Sequence, residues 1–440
     1  MESTPAWRNP LTIIAEVFGG GPGSDPKMLR WRIQTFIVTY IAYAGFYLTR
    51  VNYTTAQLEF TQEFGWTKEQ IGIIGTVYLT VYAAGQFING ILVDKVGARR
   101  LLMFGFTLTG LMSIGMGLSS SIPMMALLYG VNGYAQSTGW CSNARTMTLW
   151  SPVVTRGRLM GFWGTTYSIG SFVAKALAAV LIGWVGWRLT MIIPGIMAFG
   201  LAIMIYFFLR NSPEDVGLEI DGEEDDNADD NGTGEAKETS AFAETLEILL
   251  RPRILVLGSA YFCMKFVRYT FMFWIGFYLI ERFGFNASQS GWVESAFPFF
   301  GAIGIILGGW LSDLVFQTRR APPAAIMLFC LVLALLYMSG MQQALMWEAV
   351  AIMGVIGVSL YGPDMLISGT AAMDFGSAKA AGRVVGFVNG MGSIGAALQG
   401  VVIGFVSERY GWDSVFTVLI VMVLVSIGVT STLWKQKATK

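Results

Sequence analysis

The sequence predicts an all-α polytopic membrane protein, with twelve transmembrane helices in two pseudo-symmetric six-helix bundles. Three observations predict it. The 440 residues are 54% hydrophobic and only 13% charged, with a mean hydropathy of +0.56, far more apolar than an ordinary soluble domain. Apolar runs long enough to cross a bilayer recur almost end to end. The chain also repeats part of itself at a fixed offset. No stretch alternates as an outer-membrane strand would, and the 53 glycines suit close helix packing in lipid.

Taken in order, the runs fall at residues 32–53, 71–93, 98–120, 123–149, 157–183, 187–209, 253–280, 288–315, 322–341, 345–374, 380–407 and 412–435. They divide the chain into an N-terminal segment (1–31), a first bundle (32–210), a linker (211–250), a second bundle (251–435) and a short tail (436–440). The N-terminal segment shows no cleavable leader pattern. Its apolar patch, Leu11 to Phe18, is too short to span and fits the membrane interface. Arg30-Trp31-Arg32 is a basic, aromatic anchor at the entry to the first span. The linker holds fourteen acidic residues and one lysine, so it reads as a disordered solvated tether, helical again from about Phe242.

Charge orients the chain. With the N-terminus inside, twenty Lys and Arg fall on the cytoplasmic side, and only Lys68, Arg188, Arg282 and Arg409 fall on the other. That asymmetry predicts both termini in the cytoplasm and an even number of spans. Five cations remain inside spans: Arg50, Arg145, Lys175, Lys265 and Arg268. A charge at mid-bilayer costs on the order of 3 kcal/mol by insertion scales and marks a functional position by default. Glu294 and Asp364 are the clearest intramembrane acids, so positive charge is left over, and an anionic ligand is one counter-charge.

The repeat ties the arginines together. Gly90-Ile-Leu-Val-Asp94 with Arg99-Arg100 recurs as Gly309-Trp-Leu-Ser-Asp313 with Arg319-Arg320. The offset from Gly90 to Gly309 is 219 residues, and that from Arg50 to Arg268 is 218. Arg50 and Arg268 therefore occupy equivalent places in tandem halves, which puts them at a common mid-membrane cavity. Two guanidinium forks suit a phosphate. Asp94 and Asp313 read as turn-capping or gating residues. Glu294 and Asp364 read as ion-pair partners that switch between conformations, or as proton carriers. Arg145, near the end of its span, reads as structural. Lys175 reads as either a substrate contact or half of an ion pair. Lys265 shares a helical face with Arg268 and reads as a supporting charge or a direct contact. Tyr47 lies one turn before Arg50.

Cys141, Cys263 and Cys330 all fall in spans and histidine is absent, so neither a disulfide framework nor a metal site is expected. No nucleophile–base set points to an enzyme. No cofactor and no nucleic-acid partner are expected.

The residues resemble a known family. Leu29-Arg-Trp31, Gly45-Phe-Tyr47-Leu-Thr-Arg50-Val-Asn52, Gly139-Trp-Cys-Ser-Asn-Ala-Arg145, Pro213-Glu-Asp-Val-Gly217, Arg268-Tyr269 and Tyr361-Gly-Pro363-Asp are similar to the organophosphate:phosphate antiporters of the major facilitator superfamily. The resemblance covers both halves. It implies that Arg50 and Arg268 grip a phosphoryl group, and that a sugar phosphate or glycerol phosphate is exchanged for inorganic phosphate by alternating access. It further implies a bacterial inner-membrane monomer.

Three positions depart from the family pattern. Gln86 and Val51 stand where lysines are usual, and Tyr167 stands where a histidine is usual, so Gln86 and Tyr167 join the candidate substrate residues. Two alternatives stay open: proton- or sodium-coupled uptake of an organic carboxylate such as a hexuronate, and a transporter-like sugar-phosphate sensor.

Overall fold

The computed structural model describes residues 18–20, 24–151, 159, 162–218, 251–317, 319–371 and 378–435. The apolar patch before Phe18, the linker beyond Leu218, and the side chains of Asp94 and Asp313 lie outside the described residues.

Among the described residues, eight helices are long and apolar enough to cross a membrane. Two of these, Phe162–Phe208 and Phe387–Ser431, are double length. Each breaks at a glycine in the left-handed region, Gly186 (φ 76°) and Gly411 (φ 76°), and so supplies two spans. The first and fourth spans complete the twelve. They are helical, Pro26–Phe46 continued by Asn52–Phe64, and Ile122–Trp150, but they carry too many polar residues to qualify on hydropathy alone. Those polar residues build the central site described below.

The first span outruns its apolar sequence. It was expected to end at residue 53 and instead ends at Phe64, where Gly65 takes φ 68° and closes the helix. The added turns contain Thr54, Thr55 and Gln57, all buried. Thr54 and Thr55 return their hydroxyls to the Val51 carbonyl at 2.7 and 3.4 Å, so they can be buried without an orphaned donor. The extension puts Arg50 well inside the span, between its two helical parts, rather than near its end. Arg268 lies midway along the seventh span, Pro252–Phe273 continued by Ile275–Phe283.

The 219-residue repeat is written into the helix ends. Gly65 and Gly284 (φ 70°) both close a helix. Thr67 with Gln70 and Asn286 with Gln289 then form capping boxes that open the second span, Lys68–Val96, and the eighth, Ala287–Trp310. The same layer holds one ion pair in each half, with its charges exchanged. Glu63 accepts from Arg188 at 2.7 Å, whereas Arg282 lies 3.8 Å from Asp413.

The described contacts between the halves lie at mid-depth and towards the face opposite the chain termini. At that face Lys68 pairs with Glu281 at 2.7 Å, its backbone donates to Glu408, and Trp412 donates to Glu281 at 2.8 Å. Deeper, the second and eleventh spans meet backbone to backbone at Gly72 and Gly400, where any Cβ would collide with the Gly400 carbonyl or Thr76 Oγ1. Thr76 donates across to the Ala397 carbonyl at 3.2 Å. This seam closes one end of the bundle pair.

Gly400→Val should wedge the seam apart. Overpacking of this kind costs roughly 1–3 kcal/mol. A thiol placed at position 76, in a background without native cysteines, should label at least severalfold faster with a bulky reagent applied from the opposite face. Unchanged labelling would show that the seam tolerates the wedge.

Candidate substrate site

Arg50 sits where the first span breaks. A short 3-10 turn, Tyr47–Thr49, separates the two helical parts, and discontinuous helices near mid-membrane are where transporters place ligand sites. The side chain is 3% exposed. Its Nε donates to Gln136 Oε1 at 2.8 Å, and the same oxygen accepts from the Tyr78 hydroxyl at 3.0 Å. Gln136 Nε2 donates to Thr49 Oγ1 and Asn132 Oδ1, both at 3.2 Å. Its orientation is therefore fixed from four directions. The guanidinium lies over Tyr47 (4.5 Å) and Tyr82 (5.0 Å). Among the described residues no carboxylate reaches it, and one terminal NH₂ is buried without a partner.

Arg268 is held differently. One NH₂ donates to Asp364 Oδ2 at 3.0 Å. The guanidinium lies over Tyr361 at 4.4 Å and over Tyr167 at 4.8 Å. Those two rings come from opposite halves and lie 5.8 Å apart at 9°. Arg268 Nε and Asp364 Oδ1 are both buried and unpartnered. Tyr269 follows Arg268 on the same helix and carries the Lys265 ammonium over its ring at 5.8 Å. Its ring stacks on Phe273 (6.1 Å), which meets Tyr78 on the Arg50 side (6.4 Å).

The remaining predicted residues separate into three groups. Gln86 donates to the Tyr82 hydroxyl at 3.0 Å and so stands behind Arg50. Lys265 lies over Tyr261 (5.2 Å) and Tyr269 (5.8 Å), beside the arginines. Lys175 is not with them. It lies two turns past Tyr167 towards the closed face, 1% exposed and in an ion pair with Glu294, and it also donates to the Met272 carbonyl at 3.1 Å. Of the two readings the sequence left open, the geometry is that of an ion pair. Glu294 accepts further from Ser290 at 3.2 Å and packs against Gly276, where a Cβ would strike its carboxylate. Arg145 donates to the Val93 carbonyl at 2.8 Å, near the end of the second span. Asp94 and Asp313 lie on the backbone of that end and its repeat.

Sequence reasoning missed Gln136, which positions Arg50, and placed Tyr82, Tyr269 and Tyr361 only among the span tyrosines that could equally contact substrate or serve as packing. The signal for Gln136 was present: Asn132 and Gln136 are four apart in the fourth span, hence on one face. For the tyrosines no signal separated cavity rings from packing rings.

The arrangement can bind a compact anion at two guanidiniums that retain free N–H donors, with ring faces around both and a carboxylate, Asp364, on Arg268. The whole-chain comparisons agree with the fold. The Major Facilitator Superfamily model matches residues 35–400. The chain belongs to the major facilitator superfamily. Within it, it falls in the organophosphate:phosphate antiporter family. It is 31% identical over 421 residues to a probable hexose phosphate transport protein of Chlamydia trachomatis, covering 92% of each chain. It is 30% identical over 419 residues to a glycerol-3-phosphate transporter of Bacillus subtilis, covering 93% of this chain and 94% of that one. It is also 29% identical over 398 residues to the membrane sensor protein UhpC of Salmonella typhimurium, covering 90% of each. Among solved structures, a bacterial homologue of the human lysosomal transporter Spinster superposes with a TM-score of 0.74 at 15% identity, covering 93% of this chain and 97% of that one. These findings make the protein a multi-pass membrane protein of transporter fold.

The buried pair gives a prediction about stability. Removing one partner alone, as in Lys175→Met or Glu294→Met, should cost about 3–5 kcal/mol, whereas the double substitution should recover most of it. A double-mutant cycle on thermal unfolding in detergent measures this. Additive losses would mean that the two charges do not depend on each other.

Proposed function

We propose that this protein exchanges an organic phosphate, of the sugar phosphate or glycerol phosphate class, for inorganic phosphate by alternating access. The observation that supports it best is the arginine pair: Arg50 and Arg268, from opposite halves, each keep a buried N–H donor with no partner. A phosphoryl group offers acceptor oxygens to both forks at once. The names of the relatives point to the same chemistry.

In this reading both termini are cytoplasmic, in a cell inner membrane, so the seam at Lys68, Glu281 and Trp412 closes the extracellular face and the site opens inward. Phosphate enters and displaces Asp364 from Arg268. It draws the two halves together at mid-depth, where Tyr167 already faces Tyr361. Closure there loosens the outer seam, including Lys175–Glu294, and the halves rock about the bound anion. An empty site leaves Arg50 without a counter-charge, which disfavours crossing without cargo and couples the two fluxes. The chain acts as a monomer and carries out no covalent chemistry.

A second reading, a sugar-phosphate sensor on the same fold, has one observation behind it, the relatedness to UhpC. Binding would be the same and flux negligible.

Exchange of labelled phosphate in proteoliposomes loaded with phosphate or glucose 6-phosphate tests the transport reading. Uptake should require internal phosphate. Arg50→Ala and Arg268→Ala should each lower it by more than about 30-fold, as expected when one partner of a desolvated charge pair is truncated. Arg→Lys should restore little, because the fork is lost. Wild-type uptake in either alanine variant would refute the site, and tight binding without uptake would favour the sensor.

A further inference from the structure

We propose that Lys265 is the third cation of the phosphoryl site, and that it sets the charge the site accepts: a doubly ionised phosphoryl group in preference to a singly charged anion. The proposal rests on the organophosphate reading and names the ionic species that reading leaves open.

It follows from where positive charge is matched and where it is not. Of the five cations in the spans, Lys175 is paired with Glu294 and Arg268 with Asp364, and Arg145 is bonded to a backbone carbonyl. Arg50 and Lys265 have no carboxylate among the described residues. The site therefore carries two positive charges beyond those its own acids offset.

Lys265 is placed to act there. It precedes Arg268 by three residues, so it shares that helical face about 4.5 Å further along the axis. Its ammonium rests on Tyr261 and Tyr269. Gly392 of the eleventh span leaves room for it, since a Cβ there would lie 3.1 Å from Lys265 Cγ and closer still to the Tyr261 ring. Tyr269 follows Arg268, carries the Lys265 ammonium at 5.8 Å and stacks on Phe273, which meets Tyr78, whose hydroxyl shares the Gln136 oxygen with Arg50. A line of rings thus links Lys265 and Arg268 to Arg50 across the two halves, and the space along it is where an anion would meet all three.

The charge count then discriminates between species. Asp364 offsets one of the three cations whether or not it stays bonded to Arg268, so the site as a whole balances two negative charges. A monoanion would leave one of these cations unmatched, half-buried Lys265 or buried Arg50, which is disfavoured in a site screened from bulk water.

Methyl phosphate and methyl sulfate test this directly. They are nearly the same shape. At pH 8 the phosphate ester is a dianion, its second ionisation lying near pH 6, while the sulfate ester is a monoanion at every pH. Each competes with labelled inorganic phosphate for purified wild-type protein, Lys265→Gln and Lys265→Arg. Wild-type protein should prefer methyl phosphate by about 30-fold or more, the effect of a missing partner for a buried charge. Lys265→Gln should reduce that ratio to a few-fold, binding phosphate more weakly and sulfate more tightly, and Lys265→Arg should keep it. An unchanged ratio in Lys265→Gln, or a uniform loss of both anions, would overturn the proposal. If wild-type protein binds none of the three anions, the organophosphate reading itself fails, which separates the two outcomes.

Discussion

A cation at mid-bilayer depth must be given a counter-charge, and most of this structure is arranged around that constraint. Water is not available to solvate it, and each unpaired charge raises the free energy of the fold. The protein uses three solutions. Lys175 receives a carboxylate and a carbonyl. Arg268 receives a carboxylate and two ring faces. Arg50 receives only neutral groups: an amide oxygen and two rings. Ring faces attract a cation by up to about 2 kcal/mol when desolvated, without cancelling its charge. A cation held in this way stays attractive to an incoming anion, whereas a carboxylate partner competes with one.

That difference assigns different work to the two halves of a repeat. The 219-residue offset reproduces helix ends, capping boxes and the depth of the arginines. It does not reproduce the electrostatics. Arg50 is fixed through Gln136, itself held by Asn132 and Thr49, and is a rigid receptor. Arg268 is bound to a single carboxylate that keeps one oxygen unused, so it can change partner. The proposed exchange would use both kinds of group, a fixed point that defines the site and a movable point that reports occupancy. The Glu63–Arg188 and Arg282–Asp413 pairs show the same logic in a structural setting, where a duplicated position keeps an ion pair while its signs are reversed.

Much of the fold was legible in the sequence, because lipid demands long apolar helices and the demand repeats twelve times. The boundaries failed where burial is achieved by polar residues. Thr54 and Thr55 read as the end of a span because hydropathy cannot see that their hydrogen bonds close locally. The arginine pair was legible because its cost is visible in one dimension and its symmetry in an offset. Gln136 was not, because an amide in a span has many innocent roles until a partner 86 residues away is known to need it. Lys175 could not be resolved from sequence either. Its assignment turns on the position of Glu294, 119 residues downstream, and that distance is a property of how the halves pack.

The depth at which each pair lies gives the site its direction. The Lys175–Glu294 pair and the Gly72–Gly400 contact lie on the closed side of the arginines, and Lys265 lies one turn to the other side, towards the chain termini. Charges on the closed side are neutralised, which suits a seam that must exclude water and ions. Arg50 and Lys265, at mid-depth and on the other side, have no carboxylate partner among the described residues. In the proposed cycle that imbalance draws an anion to the arginines, and the bound anion then cancels the repulsion that holds the two halves apart at mid-depth. On that proposal, attraction of the substrate and release of the gate are consequences of one imbalance, and a site with perfectly paired cations would lose both.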